Sequence, residues 1–237
     1  MRNPFISVII PALNEEKYIE NTLKAIKNQR YNGKYEIIVA DGLSEDKTVN
    51  VARKYTKNIV IVKKKGIGAG RNAGALLAKG DILLFVDADT IPSSNLLTRI
   101  SRTFKDKTVV GASCKLYPIK ANKSVTAVYK FYNKFMKFSI KLKKASIAGM
   151  CCAYRKSVFK HLKGFNEKLS TFEDVDFSLR ANRLGNIVIL KNAFALTSGR
   201  RIEKWGAANA VISYLYNFFK FYLTGKGYTA GQYKAVR

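Results

Sequence analysis

Apolar residues in the first hundred positions fall into short, nearly unbroken runs separated by mixed stretches of helical length. FISVII (Phe5 to Ile10), YEIIVA (Tyr35 to Ala40), NIVIV (Asn58 to Val62) and DILLFV (Asp81 to Val86) are such runs. With little polar alternation, they predict strands buried on both faces, as inside a parallel sheet. The intervening stretches predict helices. PALNEE leads into one that runs to about Gln29, with Asn14 as its cap and Glu15 and Glu16 in its first turn. DGLSEDKT leads into another, with Ser44 as cap followed by Glu45 and Asp46. A glycine-rich turn precedes a third, RNAGALLAK. Strands alternating with helices predict an α/β fold, a mostly parallel sheet with helices on both faces. After Val109 the pattern loosens, and neither a repeat nor a clear break marks a domain boundary.

The strand ends carry the candidate chemistry. Asp41 ends the second run, and Asp87 and Asp89 end the fourth, separated by one alanine. Buried carboxylates are unfavourable unless something positive satisfies them. At the C-terminal ends of parallel strands a ligand or metal is the expected cause. GIGAGRNAGA offers a rival, since Gly68-x-Gly70-x-x-Ala73 follows a strand and opens a helix as a dinucleotide fingerprint does. That fingerprint belongs on the first strand–helix turn, which here reads PALNEE without glycine. Close packing of the helix accounts for these glycines more simply than a nicotinamide cofactor does.

PALNEE, ADGLSEDKT, VDADT and the later TFEDVDFSLR, taken in this order and spacing, resemble the family 2 glycosyltransferases. The resemblance covers roughly residues 5 to 200 and implies the inverting, Rossmann-like GT-A fold with one mixed sheet. It implies a domain over 1–203, with a nucleotide-sugar half to about 110 and an acceptor half beyond, followed by an amphipathic tail over 204–237. By the same resemblance Asp89 holds a divalent cation, Mg²⁺ or Mn²⁺, that bridges the donor diphosphate, and Asp87 lies near the ribose. Asp41 reads the base of a UDP- or GDP-linked sugar, Pro11, Ala12, Asn14 and Glu15 or Glu16 line the pocket, and Arg71 faces the nucleotide. No late histidine is present to complete a metal shell, and Ile91 offers no ligand.

In that family the aspartate of the ED pair, here Asp174, deprotonates the acceptor hydroxyl, with Glu173 and Gly149 on the acceptor side. Thr171-x-x-Asp174 also reads as a capping box, in which Asp174 would only anchor a helix. Asp176 and Arg180 are spaced as a helix-surface pair. A base suits a hydroxyl acceptor on a glycan or lipid, whereas a polyprenyl phosphate, the alternative acceptor, is already ionised. Arg200 and Arg201, after a strand expected at Ala193 to Thr197, either hold the departing diphosphate or sit in a solvated basic loop.

Composition adds a partner. Forty-three Lys and Arg against 16 Asp and Glu give a formal charge of +27, which favours polyanions or an anionic membrane surface. In VTAVYKFYNKFMKFSIKLKK, Val128, Phe131, Tyr132, Phe135 and Ser139 or Leu142 recur at helical spacing beside Lys130, Lys134, Lys137 and Lys141. That helix either packs on the sheet or lies in a membrane interface. Ala207 to Gly225 is apolar but interrupted by Asn209, Ser213, Asn217 and Lys220, which suits an interfacial rather than a spanning helix. Single-stranded nucleic acid is the rival partner, with no recognisable binding motif behind it. Cys114, Cys151 and Cys152 lack CxxC spacing, and no signal peptide is evident, so a cytoplasmic location at the inner membrane face is expected. The single histidine, His161, excludes HExxH zinc sites, which need two.

Overall fold

The computed structural model describes residues 3–224. The first half runs β1 (Ile6–Ala12), α1 (Ile19–Lys27), β2 (Tyr35–Asp41), α2 (Thr48–Arg53), β3 (Ile59–Ile61), α3 (Ile67–Leu77) and β4 (Ile82–Val86). Then follow β5 (Thr90–Pro92), α4 (Leu96–Thr103), β6 (Val109–Ile119), α5 (Lys123–Lys141), β7 (Cys151–Arg155) and α6 (Lys156–His161). The described chain ends with α7 (Glu173–Asn182), β8 (Asn186–Ser198), α8 (Arg200–Trp205) and α9 (Ala207–Thr224). One mixed sheet has the order β3-β2-β1-β4-β7-β6-β8-β5. Its first four strands are parallel, β7 runs against both β4 and β6, and β6 is parallel to β8.

The four apolar runs form β1 to β4, with β3 shortened at both ends. Alternation within them supplies two cores. Val8, Ile10, Leu84 and Val86 pack with α1 and α4 on one face. Ile9, Leu83 and Phe85 pack with α3, α6 and α7 on the other. A strand inside the sheet places successive side chains on opposite faces, so both sets must be apolar.

Local capping was misread in two places. Asn14 does not cap α1: its φ is 55°, its N–H donates to Ser44 Oγ (2.9 Å) and its Oδ1 accepts from Glu45 N (2.9 Å). Ser44 does not cap α2 either, since the N–H of Thr48 donates to Asp46 Oδ1 (2.9 Å). Parallel pairing sets Ala12 beside Asp41, so the two following turns lie side by side and bond across rather than along the chain.

Gly68 and Gly70 lie inside α3 rather than in a turn, since the helix opens at Ile67. A Cβ on Gly74 would lie 2.5 Å from Ile9 Cγ2, so the glycines let α3 sit close on β1. Thr171 and Asp174 form no capping box, because α7 is preceded by Phe172 in the left-handed region (φ 66°). Arg180 does pair with Asp176 (2.6 Å). His161 ends α6 as an exposed residue. On α5 the packed face is Val125, Val128, Tyr129, Met136 and Ser139, while Phe131 and Leu142 stay exposed. Arg200 and Arg201 open helix α8 instead of a loop. Position 203 falls inside α8, which packs on α9, so no gap in the fold coincides with it. The remainder of the proposed tail, 225–237, lies outside the described residues.

Candidate active site

Because β1, β2 and β4 are parallel, Ala12, Asp41 and the residue after Val86 emerge at the same edge of the sheet. Pro11 and Ala12 are buried there, and the N–H of Gly42 donates to the Ala12 carbonyl (2.8 Å). Asp41 is only 1% exposed. It accepts from the Ser44 N–H (2.9 Å) and from Ser44 Oγ (2.5 Å), which aims its carboxylate along the loop that meets Asn14.

Next to this edge lies Arg71, 2% exposed and flat against Gly149. Its Nη1 donates to Glu173 Oε1 (2.5 Å), 102 residues away, and its Nη2 to Asp87 Oδ1 (3.0 Å). A Cβ on Gly149 would lie 2.3 Å from Nη2, so this position admits no side chain against the guanidinium. Phe165 covers it from another side, 5.4 Å from its ring centroid. Burial disfavours the guanidinium's charge, but Asp87, Glu173 and Asp174 outweigh it and raise the arginine's pKa. Arg71 therefore works as a buried bridge between the two carboxylate pairs rather than as an exposed contact. Glu173 is pushed up by burial and by Asp174, against the pull of Arg71. Asp174 itself accepts from the Gly149 N–H (2.6 Å).

Asp89 faces a second arginine. Nη2 of Arg200 lies 3.3 Å from Asp89 Oδ2 and 2.5 Å from Glu15 Oε1, and the guanidinium stacks on Tyr18 at 4.6 Å. Burial, then the charge of Asp87, raise Asp89 to about 7, with Arg200 and Arg201 pulling it down and Glu15 adding to the rise. Glu15, not Glu16, stands at the site. The Glu16 carboxylate instead accepts from the Lys47 N–H (2.9 Å) in the neighbouring turn. Sequence reasoning left the two glutamates open, and two adjacent acids in one turn carry no signal that separates them. Tyr18 was missed; an aromatic two residues beyond the acidic pair was the available hint.

A divalent cation fits this chemistry. The carboxylates are hard oxygen donors, Glu15 Oε2 is buried without a hydrogen-bond partner, and Asp89 is a buried carboxyl with Asp87 and Glu15 close enough to raise it further. Among the described residues no group of three or more His, Cys, Asp or Glu side chains is placed to hold a metal by itself.

Comparison with known proteins finds glycosyltransferases. Glycosyltransferase AglE of Haloferax volcanii is 32% identical over 194 residues, covering 77% of this chain and 62% of AglE. S. aureus TarS 1-349, solved in complex with UDP-GlcNAc, superposes with a TM-score of 0.66 at 22% identity, over 83% of this chain and 59% of that one. Mannosyltransferase PcManGT from Pyrobaculum calidifontis, solved with GDP-Man and Mn²⁺, gives a TM-score of 0.65 at 24% identity, over 84% and 57%. The chain thus spans roughly three-fifths of the length of each, and the fold they share with it is GT-A. Since the family described as Glycosyl transferase family 2 matches residues 7–163, well over half of the molecule, the chain belongs to that family.

Proposed function

We propose that the protein is an inverting glycosyltransferase that moves a sugar from a UDP- or GDP-linked donor to a hydroxyl of a glycan or lipid-linked acceptor. The observation that carries this reading is the Arg71 bridge, which draws Asp87 of the strand-end pair and Glu173 of the helix-start pair to one buried cation. Donor-side and acceptor-side carboxylates thereby share one cleft edge. The ligands of TarS and of the mannosyltransferase support a nucleotide-sugar.

Asp174 is the base. It removes the acceptor proton as the oxygen attacks the anomeric carbon, and the nucleoside diphosphate leaves from the opposite side, so the configuration inverts. Asp89 would hold a divalent cation, Mg²⁺ or Mn²⁺, which when bound would supply charge neutralisation for a leaving diphosphate. Arg200 and Arg201 add fixed positive charge there. Asp41, Pro11, Ala12 and Asn14 shape the nucleoside pocket, and Asp87, oriented by Arg71, holds the ribose. A lipid-linked acceptor would put the reaction at the inner, cytoplasmic face of a membrane.

A panel of UDP- and GDP-sugars, read by thermal shift and by donor hydrolysis with and without Mn²⁺ or Mg²⁺, tests the reading. One donor should stabilise the chain in a cation-dependent way and be turned over. No shift and no hydrolysis with any donor would overturn it. Equal activity of Asp174→Asn on a polyprenyl phosphate would move the acceptor to that class.

A further inference from the structure

Helix α9 carries an exposed apolar row with no partner among the described residues. Ile212, Tyr216, Phe219 and Leu223 follow helical spacing and are 58–80% exposed. Beside it, α5 exposes Phe131, Phe138 and Leu142 at the same kind of spacing. Ring contacts join the two rows. Phe131 stacks on Phe135 (6.5 Å between centroids), Phe135 meets Phe218 edge-on (4.9 Å), and Phe218 touches Phe219 (5.8 Å) and Tyr222 (6.3 Å). Lysines border the patch. Lys130, Lys134, Lys137 and Lys141 are all exposed, and at about 100° per residue they form a row next to Phe131 and Phe138. Lys144 Nζ lies 4.6 Å over the Tyr222 ring.

We propose that the joined outer faces of α5 and α9 are a docking surface for a bilayer rich in anionic lipid. Phenylalanine, tyrosine and leucine side chains enter the headgroup boundary while the lysines meet lipid phosphates. No described helix is long and apolar enough to cross a membrane, which suits a helix pair lying in the interface. Charge selects this occupant over a second copy. A two-fold dimer through this face would set one lysine row against its equal, and like charges facing each other oppose association. A nucleic acid would satisfy the lysines but leave the apolar rows in water.

The surface adds a membrane-borne acceptor to the proposed transfer reaction, and vesicle binding is measured without donor so that the two readings fail separately. The full chain is sedimented with phosphatidylglycerol vesicles and with phosphatidylcholine vesicles. Wild type should partition onto the anionic vesicles and at least tenfold less onto the neutral ones. Phe138→Ser with Phe219→Ser, both at exposed positions, should weaken anionic partition at least tenfold with an unchanged melting temperature. Lys130→Gln, Lys134→Gln and Lys137→Gln should each weaken it by about fivefold. Undiminished binding by the double serine variant would reduce the effect to adsorption of a highly basic protein and overturn the proposal. So would absence of wild-type binding, or a dimer in sedimentation velocity that the same serine substitutions dissociate.

Discussion

Asp87/Asp89 and Glu173/Asp174 are two acidic pairs built on unlike supports, one where a buried strand ends and one where a helix begins. Each divides its labour in the same way. The inner members, Asp87 and Glu173, are held by one buried guanidinium, Arg71. The outer members differ. Asp174 accepts a backbone N–H on each oxygen, from Gly149 (2.6 Å) and from Val175 (2.8 Å). Asp89 instead sits among Asp87, Glu15 and Arg200 and is raised to about 7, by burial first and the Asp87 charge next. A carboxylate fixed by neutral backbone donors suits the base role proposed for Asp174. A buried carboxylate with two further acids beside it suits the cation role proposed for Asp89. One arginine thus joins the two inner members, and the surroundings of the outer ones match the two proposed roles.

The comparison breaks most completely at Asp89. Asp89→Ala should bring transfer below detection and abolish cation-dependent nucleotide binding in calorimetry; wild-type turnover by this variant would remove the cation role. At Asp174 the loss should be smaller and mainly kinetic. Asp174→Asn retains an oxygen for one of the two backbone N–H donors, from Gly149 and Val175. Donor affinity should therefore hold and stability fall by only about 1 kcal/mol, while single-turnover transfer slows about 10²- to 10⁴-fold. A rate per folded molecule close to wild type would return Asp174 to a structural role.

The shared cation is tested by stability. Arg71→Met leaves Asp87 and Glu173 without their partner and should lower unfolding free energy by about 3–5 kcal/mol, measured in urea. Adding Glu173→Gln to it should recover part of that loss, because one uncompensated buried charge is gone. Full additivity of the two substitutions would show that the bridge does not couple them.

The smallest effect is a pH slope. Between the usual carboxylate value near 4 and about 7, the folded chain keeps a proton on Asp89 that the unfolded chain releases. Its contribution therefore lowers stability as pH rises through that window and levels off above it. Asp89→Asn lacks this penalty. In chelator, the variant should gain up to about 3 kcal/mol on wild type between pH 5 and pH 8. Parallel melting curves across that range would contradict the raised value.

What the sequence determined by itself is the framework and the acidic residues at its edges. The runs that became β1, β2 and β4 were legible because a strand buried on both faces has no polar period to obscure it. Asp41, Asp87 and Asp89 stood out as carboxylates ending apolar runs. Tertiary structure alone decided which groups meet. Asn14 and Ser44 exchange local caps for each other because their strands are parallel neighbours. Glu15 turns inward and Glu16 outward because Arg200, 185 residues along the chain, reaches only the first. Arg71 was legible as a basic residue near the nucleotide site, but its burial between Asp87 and Glu173 depends on a partner 102 residues away. On α5 the spacing allowed several faces, and the sheet took Val125, Tyr129 and Met136, leaving Phe131 outside. Periodicity and strand ends are local properties of the chain. Ion pairs and packed faces belong to elements brought together only when the sheet closes.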